Sequence, residues 1–319
     1  MADRHPIRFG VQTGQQNVTW TEMVELWSKA DAWGYDSLWV FDHFYPIFVP
    51  DPAGPCMEGW TLLSALSQHT TRARLGALVN GNTYRNPCVM AKMAATLDNV
   101  SGGRLNLGIG SGWFELEHRS FGIDFKTIPG RLQALDESLQ IIKGMFTQEK
   151  TTLEGRHYRV RDAVCNPKPL TKPHPPIMVG GQGEKSLLRL VARHADMWNA
   201  TGADADRMRH LIGVINRHCD VVGRDPDEIE KTVMIGLCYR APKEREQAMM
   251  SIVGAMSGQQ PEEARRQIMI GDKQECLDTI ERYSSAGVTH FIFMSIAPYF
   301  LDDFQRFAEE VFPAFRPRS

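Results

Sequence analysis

The amino-acid sequence predicts an α/β fold, a (β/α)8 barrel, and three observations lead there. Short apolar runs recur eight times, helical patterns fill most of the gaps between them, and 319 residues give the length such a barrel needs. The runs are Ile7–Gln12, Ser37–Asp42, Leu75–Val79, Leu105–Ile109, Ile177–Gly180, Met197–Ala200, Thr232–Leu237 and Thr289–Ser295. Each is apolar rather than alternating, as parallel strands covered on both faces are. The competing architecture, a doubly wound open sheet, asks for a Gly-x-Gly-x-x-Gly turn after the first strand. Gln12-Thr13-Gly14-Gln15-Gln16-Asn17 stands there instead.

The helices follow in order. Trp20–Trp33 places Met23, Leu26, Trp27 and Ala30 on one face at spacings of three and four, and Gly34 follows where a left-handed cap is wanted. Similar patterns cover Glu58–His69, Val89–Val100, Arg131–Met145, Glu184–His194, Ala205–Val222 and Lys273–Ala286, with Asn86 and Pro87 reading as cap and first residue of the third. Two stretches break the rhythm. Residues 148–176, with Pro167, Pro169, Pro173, Pro175 and Pro176, predict a short hairpin and an extended crossing; residues 241–272 predict helical pieces before the last barrel helix. Long insertions of this kind are commonly functional walls or lids. No linker or low-complexity segment separates the elements, so residues 1–319 are expected to form one domain with two insertions.

Composition removes several function classes. Lys and Arg number 36 against 38 Asp and Glu, a formal net charge of −2 without a basic run, so no nucleic-acid partner is expected. The six cysteines never come closer than 19 residues, which offers neither a metal cluster nor a disulfide framework and fits a reducing compartment. The first ten residues lack the apolar region of a secretory signal, and no apolar stretch approaches the ~20 residues that span a bilayer. A cytoplasmic chain without a membrane partner is expected.

Chemistry in a barrel gathers at the C-terminal strand ends. The second strand ends in Asp42-His43, where an imidazole can exchange protons near neutral pH or the pair can brace a loop. The third leads into Asn80-Gly81-Asn82, and the fourth into Gly108-Ile109-Gly110-Ser111-Gly112-Trp113, whose glycines clear the lip for a flat ring beside an aromatic wall. The fifth gives Gly180-Gly181-Gln182-Gly183-Glu184 ahead of a helix, an arrangement of amides that suits a phosphate, with Lys185 and Arg189 as further basic residues. The sixth ends in Trp198-Asn199-Ala200-Thr201-Gly202, another small polar lip. Together they suggest a flat, phosphate-bearing redox cofactor lying across the barrel, since no metal cluster, catalytic carboxylate pair or serine elbow competes.

These lips carry a resemblance. Gly34-Tyr35-Asp36-Ser37-Leu38-Trp39 running to Asp42-His43, Gly81-Asn82-Thr83-Tyr84-Arg85-Asn86-Pro87, Ser101-Gly102-Gly103-Arg104-Leu105, Gly108 to Glu117 and Ala195-Asp196-Met197-Trp198-Asn199 resemble the luciferase-like monooxygenase superfamily, over roughly residues 7 to 296. Within it the run from Gly81 to Trp113 is most similar to the oxidoreductases that use the deazaflavin coenzyme F420. The resemblance implies hydride exchange at C5 of the deazaflavin and a non-prolyl cis peptide around Leu78, Val79 and Asn80. It implies His43 as the proton-handling residue. Asp42, Val79, Asn80, Ser111, Gly112 and Trp113 would cradle the ring, and Gly180, Gly181, Gln182, Gly183, Glu184 and Thr201 would lie near the phosphate. Reduced-FMN monooxygenation and a non-catalytic flavin-binding barrel are the alternatives, and a homodimer acting on a small molecule is the expected assembly. One departure matters: sugar-phosphate dehydrogenases of this group carry a glutamate where this chain has Trp113. Glu115 and Glu117 come two and four residues later, which argues against a sugar phosphate, while Trp113, Phe114, Phe44 and Tyr45 favour a hydrophobic substrate.

Overall fold

The structure, a computed structural model, describes residues 5–49 and 51–316. The chain begins with β1 (Arg8–Thr13), α1 (Trp20–Trp33), β2 (Ser37–Val40), α2 (Gly59–Leu66), β3 (Arg74–Ala77), β4 (Asn80–Gly81), α3 (Pro87–Val100) and β5 (Leu107–Gly110). It continues through α4 (Glu115–Ser120), α5 (Ile128–Thr147), β6 (Thr151–Glu154), β7 (Arg159–Ala163), β8 (Ile177–Gly180), α6 (Leu187–His194), β9 (Met197–Thr201) and α7 (Ala205–Val222). It ends with β10 (Glu230–Tyr239), α8 (Lys243–Ser257), α9 (Pro261–Ala264), β11 (Ile268–Gly271), α10 (Lys273–Ser284), β12 (His290–Ser295) and α11 (Leu301–Glu310).

Parallel strands pair in the order β3-β2-β1-β12-β10-β9-β8-β5-β4. β3 and β4 are halves of one strand interrupted at Leu78-Val79, a cis peptide, as the resemblance implied. β3 pairs with β2 and β4 with β5, so the ring closes through that strand, and the predicted barrel is the observed one. β1 sits between β2 and β12, with Val11 opposite both Leu38 and Phe293.

Local chemistry explains the boundaries. Thr19 and Glu22 form a capping box at α1, and Gly34 ends it at φ 94°, where a side chain would be strained. Asn86 accepts from the Cys88 amide at 2.9 Å, with Pro87 following, so these two residues are a helix start. Outward strand faces and inward helix faces share one apolar core running from Phe9 to Phe312. A second, methionine-rich cluster, including Met178, Met197, Met234, Met249 and Met294, fills the barrel interior and the inner side of α8. Each such side chain contributes about 1.5–3 kcal/mol by leaving water.

Residues 148–176 hold the expected hairpin, β6 against β7, followed by cis bonds at Asn166-Pro167 and Lys172-Pro173. Residues 241–272 hold α8 and α9, as expected, and also β11, which pairs with the far end of β10. β11 (Ile268–Gly271) lies outside the ring order, inside the insertion where the sequence predicts only helical pieces. α11 was not anticipated either; its Phe304 and Phe307 pack edge-on against Tyr35 and Phe9. α6 starts at Leu187, three residues later than its pattern suggested, because Gly181 at φ 130° and Gly183 keep the preceding segment a loop. No helix among the described residues is long and apolar enough to cross a membrane.

Candidate active site

The C-terminal strand ends surround a cavity of about 630 Å³. One half of its wall comes from the ends of β4, β5, β8 and β9; the other comes from the loops after β1 and β2 and from α8, through Ile252, Val253 and Met256. Asp42, His43, Val79, Asn80, Ser111, Gly112, Trp113, Gly180, Gly181 and Thr201 all line it. Gln182, Gly183 and Glu184 do not.

His43 is held from behind. Its Nδ1 lies 2.9 Å from Glu117 Oε2, and Glu117 is fully buried. The same carboxylate accepts from the Phe44 amide at 2.5 Å, the Tyr45 amide at 3.0 Å and the Tyr84 hydroxyl. Burial pushes the Glu117 pKa up, but the His43 contact and these donors more than offset it, so the carboxyl lies below its ordinary value. A carboxylate at Nδ1 fixes that nitrogen as the donor, leaving Nε2 as the nitrogen that meets the cavity. Burial and then the Glu117 hydrogen bond and charge keep the Tyr84 hydroxyl protonated. Burial also pushes the Cys56 thiol, against the His43 carbonyl, up to about 12, which makes it no nucleophile.

The neighbouring Asp42 is committed elsewhere. Arg85 Nη1 reaches its two oxygens at 2.9 and 2.7 Å, the Gly81 amide donates at 3.0 Å, and Arg85 Nη2 reaches Glu58 at 2.6 Å. Burial raises the Asp42 pKa while Arg85 and the Gly81 amide oppose it. Asp42 thus ties the end of β2 to the loop after β4. The Asn80 amide is likewise spent inside the wall, accepting from Trp60 Nε1 at 2.6 Å and donating to the Gly108 carbonyl at 2.5 Å.

Close packing also requires the glycines of the lip to be bare. A Cβ on Gly108, Gly110 or Gly180 would come within 2.9–3.1 Å of the Val79 methyl groups. The missing side chains at Gly110 and Gly180 therefore admit Val79, which stands out from the interrupted β3–β4 strand, while a Cβ on Gly108 would first strike the Ala77 carbonyl at 2.2 Å. Gly112, at φ 78°, is required twice, since its Cβ would also strike Thr83 Oγ1 at 2.6 Å.

Trp113 is half-exposed, stacks on Phe48 with ring centres 5.6 Å apart and meets the His43 ring edge-on at 5.5 Å. On the opposite rim Gln182 donates to the Thr201 carbonyl at 2.8 Å. Glu184 points away to Arg207 at 2.9 Å and His210 at 3.1 Å, and hydrogen bonds from these two hold its carboxyl below the usual range.

Sequence reasoning left Glu117 without a direction and did not single out Tyr84, Phe48 or Arg85. The only hint for Glu117 was its place four residues after Trp113. α4 is a turn and a half long and shows no apolar periodicity from which its facing could be read.

Comparison with known proteins gives concordant findings. The F420-dependent glucose-6-phosphate dehydrogenase of Microbacterium testaceum is 28% identical over 98% of this chain and 98% of its own. The enzyme of that name from Segniliparus rotundus is 27% identical over 90% and 92%. Among solved structures, an F420-dependent secondary alcohol dehydrogenase in complex with an F420–acetone adduct superposes with a TM-score of 0.86 at 20% identity, covering 98% of this chain and all of that one. The long-chain alkane monooxygenase LadA superposes at 0.78 and 15% identity, over 97% and 91%. The model of the luciferase-like monooxygenase family matches residues 4–290, and the chain belongs to that family.

Proposed function

We propose that the protein is an F420-dependent oxidoreductase that moves a hydride between the deazaflavin and a small organic substrate, with His43 handling the accompanying proton. The observation that carries this reading is the His43 imidazole at the cavity wall, its Nδ1 held by a buried carboxylate and its Nε2 left for a reacting group. Full-length similarity to proteins named as F420-dependent dehydrogenases supports the choice of cofactor.

The residues fit such a group. Val79 between its glycines gives an apolar backing on which a flat ring can lie, and Ser111, Gly112 and Trp113 rise beside it. Ser186 makes no side-chain cap at α6, and although the Leu188 amide is taken by the Gly183 carbonyl at 3.0 Å, the positive end of the helix faces the Gly181 rim, where an anionic tail would lie. The bound deazaflavin supplies a two-electron hydride donor or acceptor. Glu117 holds the His43 ring in one tautomer and orientation, and is therefore a positioning residue. Asp42 and Arg85 fix the loop that carries His43. Phe41, Phe48 and Trp113 keep water from the reacting atoms.

The test is a titration of the purified protein with F420 and with FMN, followed by tryptophan fluorescence. Saturable quenching by F420 at concentrations where FMN has no effect is expected. Preference for FMN would transfer the reading to reduced-flavin monooxygenation. We further infer one domain, because a single core joins β1 to the chain end. A cytoplasmic location is supported by six free thiols. A homodimer is supported by apolar Val89, Val100, Val164 and Leu170, exposed on α3 and the neighbouring insertion; light scattering tests it.

A further inference from the structure

We propose that the substrate of this site is an uncharged, apolar carbonyl compound or its matching alcohol, and not a phosphorylated sugar; this rests on the hydride-transfer reading above. Much of the cavity wall is apolar: Phe41 and Trp113 meet the His43 ring edge-on, and Phe48, Ile252, Val253 and Met256 continue the lining. Several of its polar side chains are committed within the protein, although Gln267 Oε1 is buried without a partner. Gln16 closes on the Ile47 backbone at 2.8 and 2.9 Å, and Asn199 donates to Thr232 at 2.8 Å.

The electrostatics point the same way. His43 stands against the ionised Glu117 and next to Asp42 in sequence, and the one guanidinium at this corner, Arg85, is committed to Asp42 and Glu58. Among the described residues, no lysine or arginine lines the cavity. A phosphate dianion entering beside His43 would shed its hydration and find an apolar wall with no cation on it. A neutral ligand avoids that cost and gains affinity with each methylene it buries. His43 Nε2 asks for one polar atom on that ligand, a carbonyl or hydroxyl oxygen.

In the reducing direction, the hydride from the reduced cofactor forms a C–H bond at the carbonyl carbon. The C=O π pair moves to oxygen, and the proton on Nε2 completes the hydroxyl. The cofactor is oxidised by two electrons, and His43 regains its proton from solvent.

The experiment uses the whole protein and the probes 2-butanone, 2-hexanone, 2-octanone and glucose 6-phosphate. Binding is read without cofactor, by quenching of tryptophan fluorescence, since Trp113 lies on the cavity rim. Turnover is read separately as oxidation of reduced F420. Affinity and kcat/KM are expected to rise roughly fourfold per added methylene along the ketones, with glucose 6-phosphate inert in both assays. Met256→Ala should weaken 2-octanone about tenfold. A flat ketone series, or glucose 6-phosphate bound or reacted better than 2-octanone, overturns the substrate class even where F420 binds. F420 failing to bind while the ketone series holds overturns the cofactor reading and leaves the substrate class standing.

Discussion

The two ends of the barrel each carry a histidine against a buried glutamate, and the two pairs do opposite things. At the mouth, His43 Nδ1 meets Glu117 at 2.9 Å and Nε2 stays available to a cavity. At the floor, His290 Nδ1 stands 3.5 Å from Glu230, and Nε2 is closed by the Ser37 hydroxyl at 2.8 Å, which in turn accepts from Trp39 Nε1 at 2.8 Å. The floor set has the residue types of a hydrolytic triad. Yet Ser37 is fully buried, and Gly10 presses so close that a Cβ there would lie 2.2 Å from its Oγ. No substrate can reach it. A constellation becomes a site through the atom it leaves unpartnered and through access, rather than through its members.

The sharpest way to break the comparison is to remove one member of each pair. His43→Ala should cut turnover by about 10²–10⁴-fold while F420 affinity changes less than about threefold, as read by steady-state kinetics beside the fluorescence titration. Equal loss of both would make the residue structural, like its counterpart below. At the floor, Glu230→Ala should leave the cofactor site intact but lower the unfolding free energy by about 3–5 kcal/mol, measured by urea denaturation, because Arg8 and His290 lose their shared anion.

Glu117→Gln probes the mouth more finely. The amide keeps the shape but cannot accept from His43, Tyr84 and two backbone amides at once, so kcat should fall roughly 10²-fold with KM nearly constant. Glu117→Asp should recover part of that loss.

Much of this was legible in the chain and some was not, for identifiable reasons. The eight strands showed because burial on both faces makes them continuously apolar, and α1, α3 and α7 showed because caps and periodicity agree there. The place of His43 was legible from the end of the second strand, and the cis peptide at Leu78-Val79 through the resemblance. The facing of Glu117 was not, since it depends on contacts with Phe44, Tyr45 and Tyr84, residues more than thirty positions away in sequence. The lip glycines were legible as gaps, but not their neighbour, because absence of a side chain does not say what packs beside it. Here it is Val79 of a different strand.

That point gives a smaller test. Gly110→Ala places a Cβ 2.9 Å from Val79 Cγ2 and should cost about 1–3 kcal/mol of stability. Val79→Ala in the same chain should restore part of it, and simple additivity in denaturation would show that the two do not touch. The smallest effect expected is on acid stability. Glu117 and Glu230 both lie below the ordinary value of 4.5, burial raising each and its partners lowering it further. Their contribution is therefore complete above about pH 4.5 and fades as pH falls through the folded values. Glu230→Gln should flatten the dependence of melting temperature on pH below that point.

The wall made by α8 has a consequence for how such a protein can diversify. β10 is bonded to β9 and β12 within the ring, and β11 hangs off it as a side branch. α8 lies between β10 and β11 in the chain, and Arg245 joins it to Asp303 of α11 at 2.9 Å. The helix that shapes one side of the chamber is thus a cassette. Its sequence can be exchanged, and new molecules accommodated, without reopening the closed cylinder that carries the histidine.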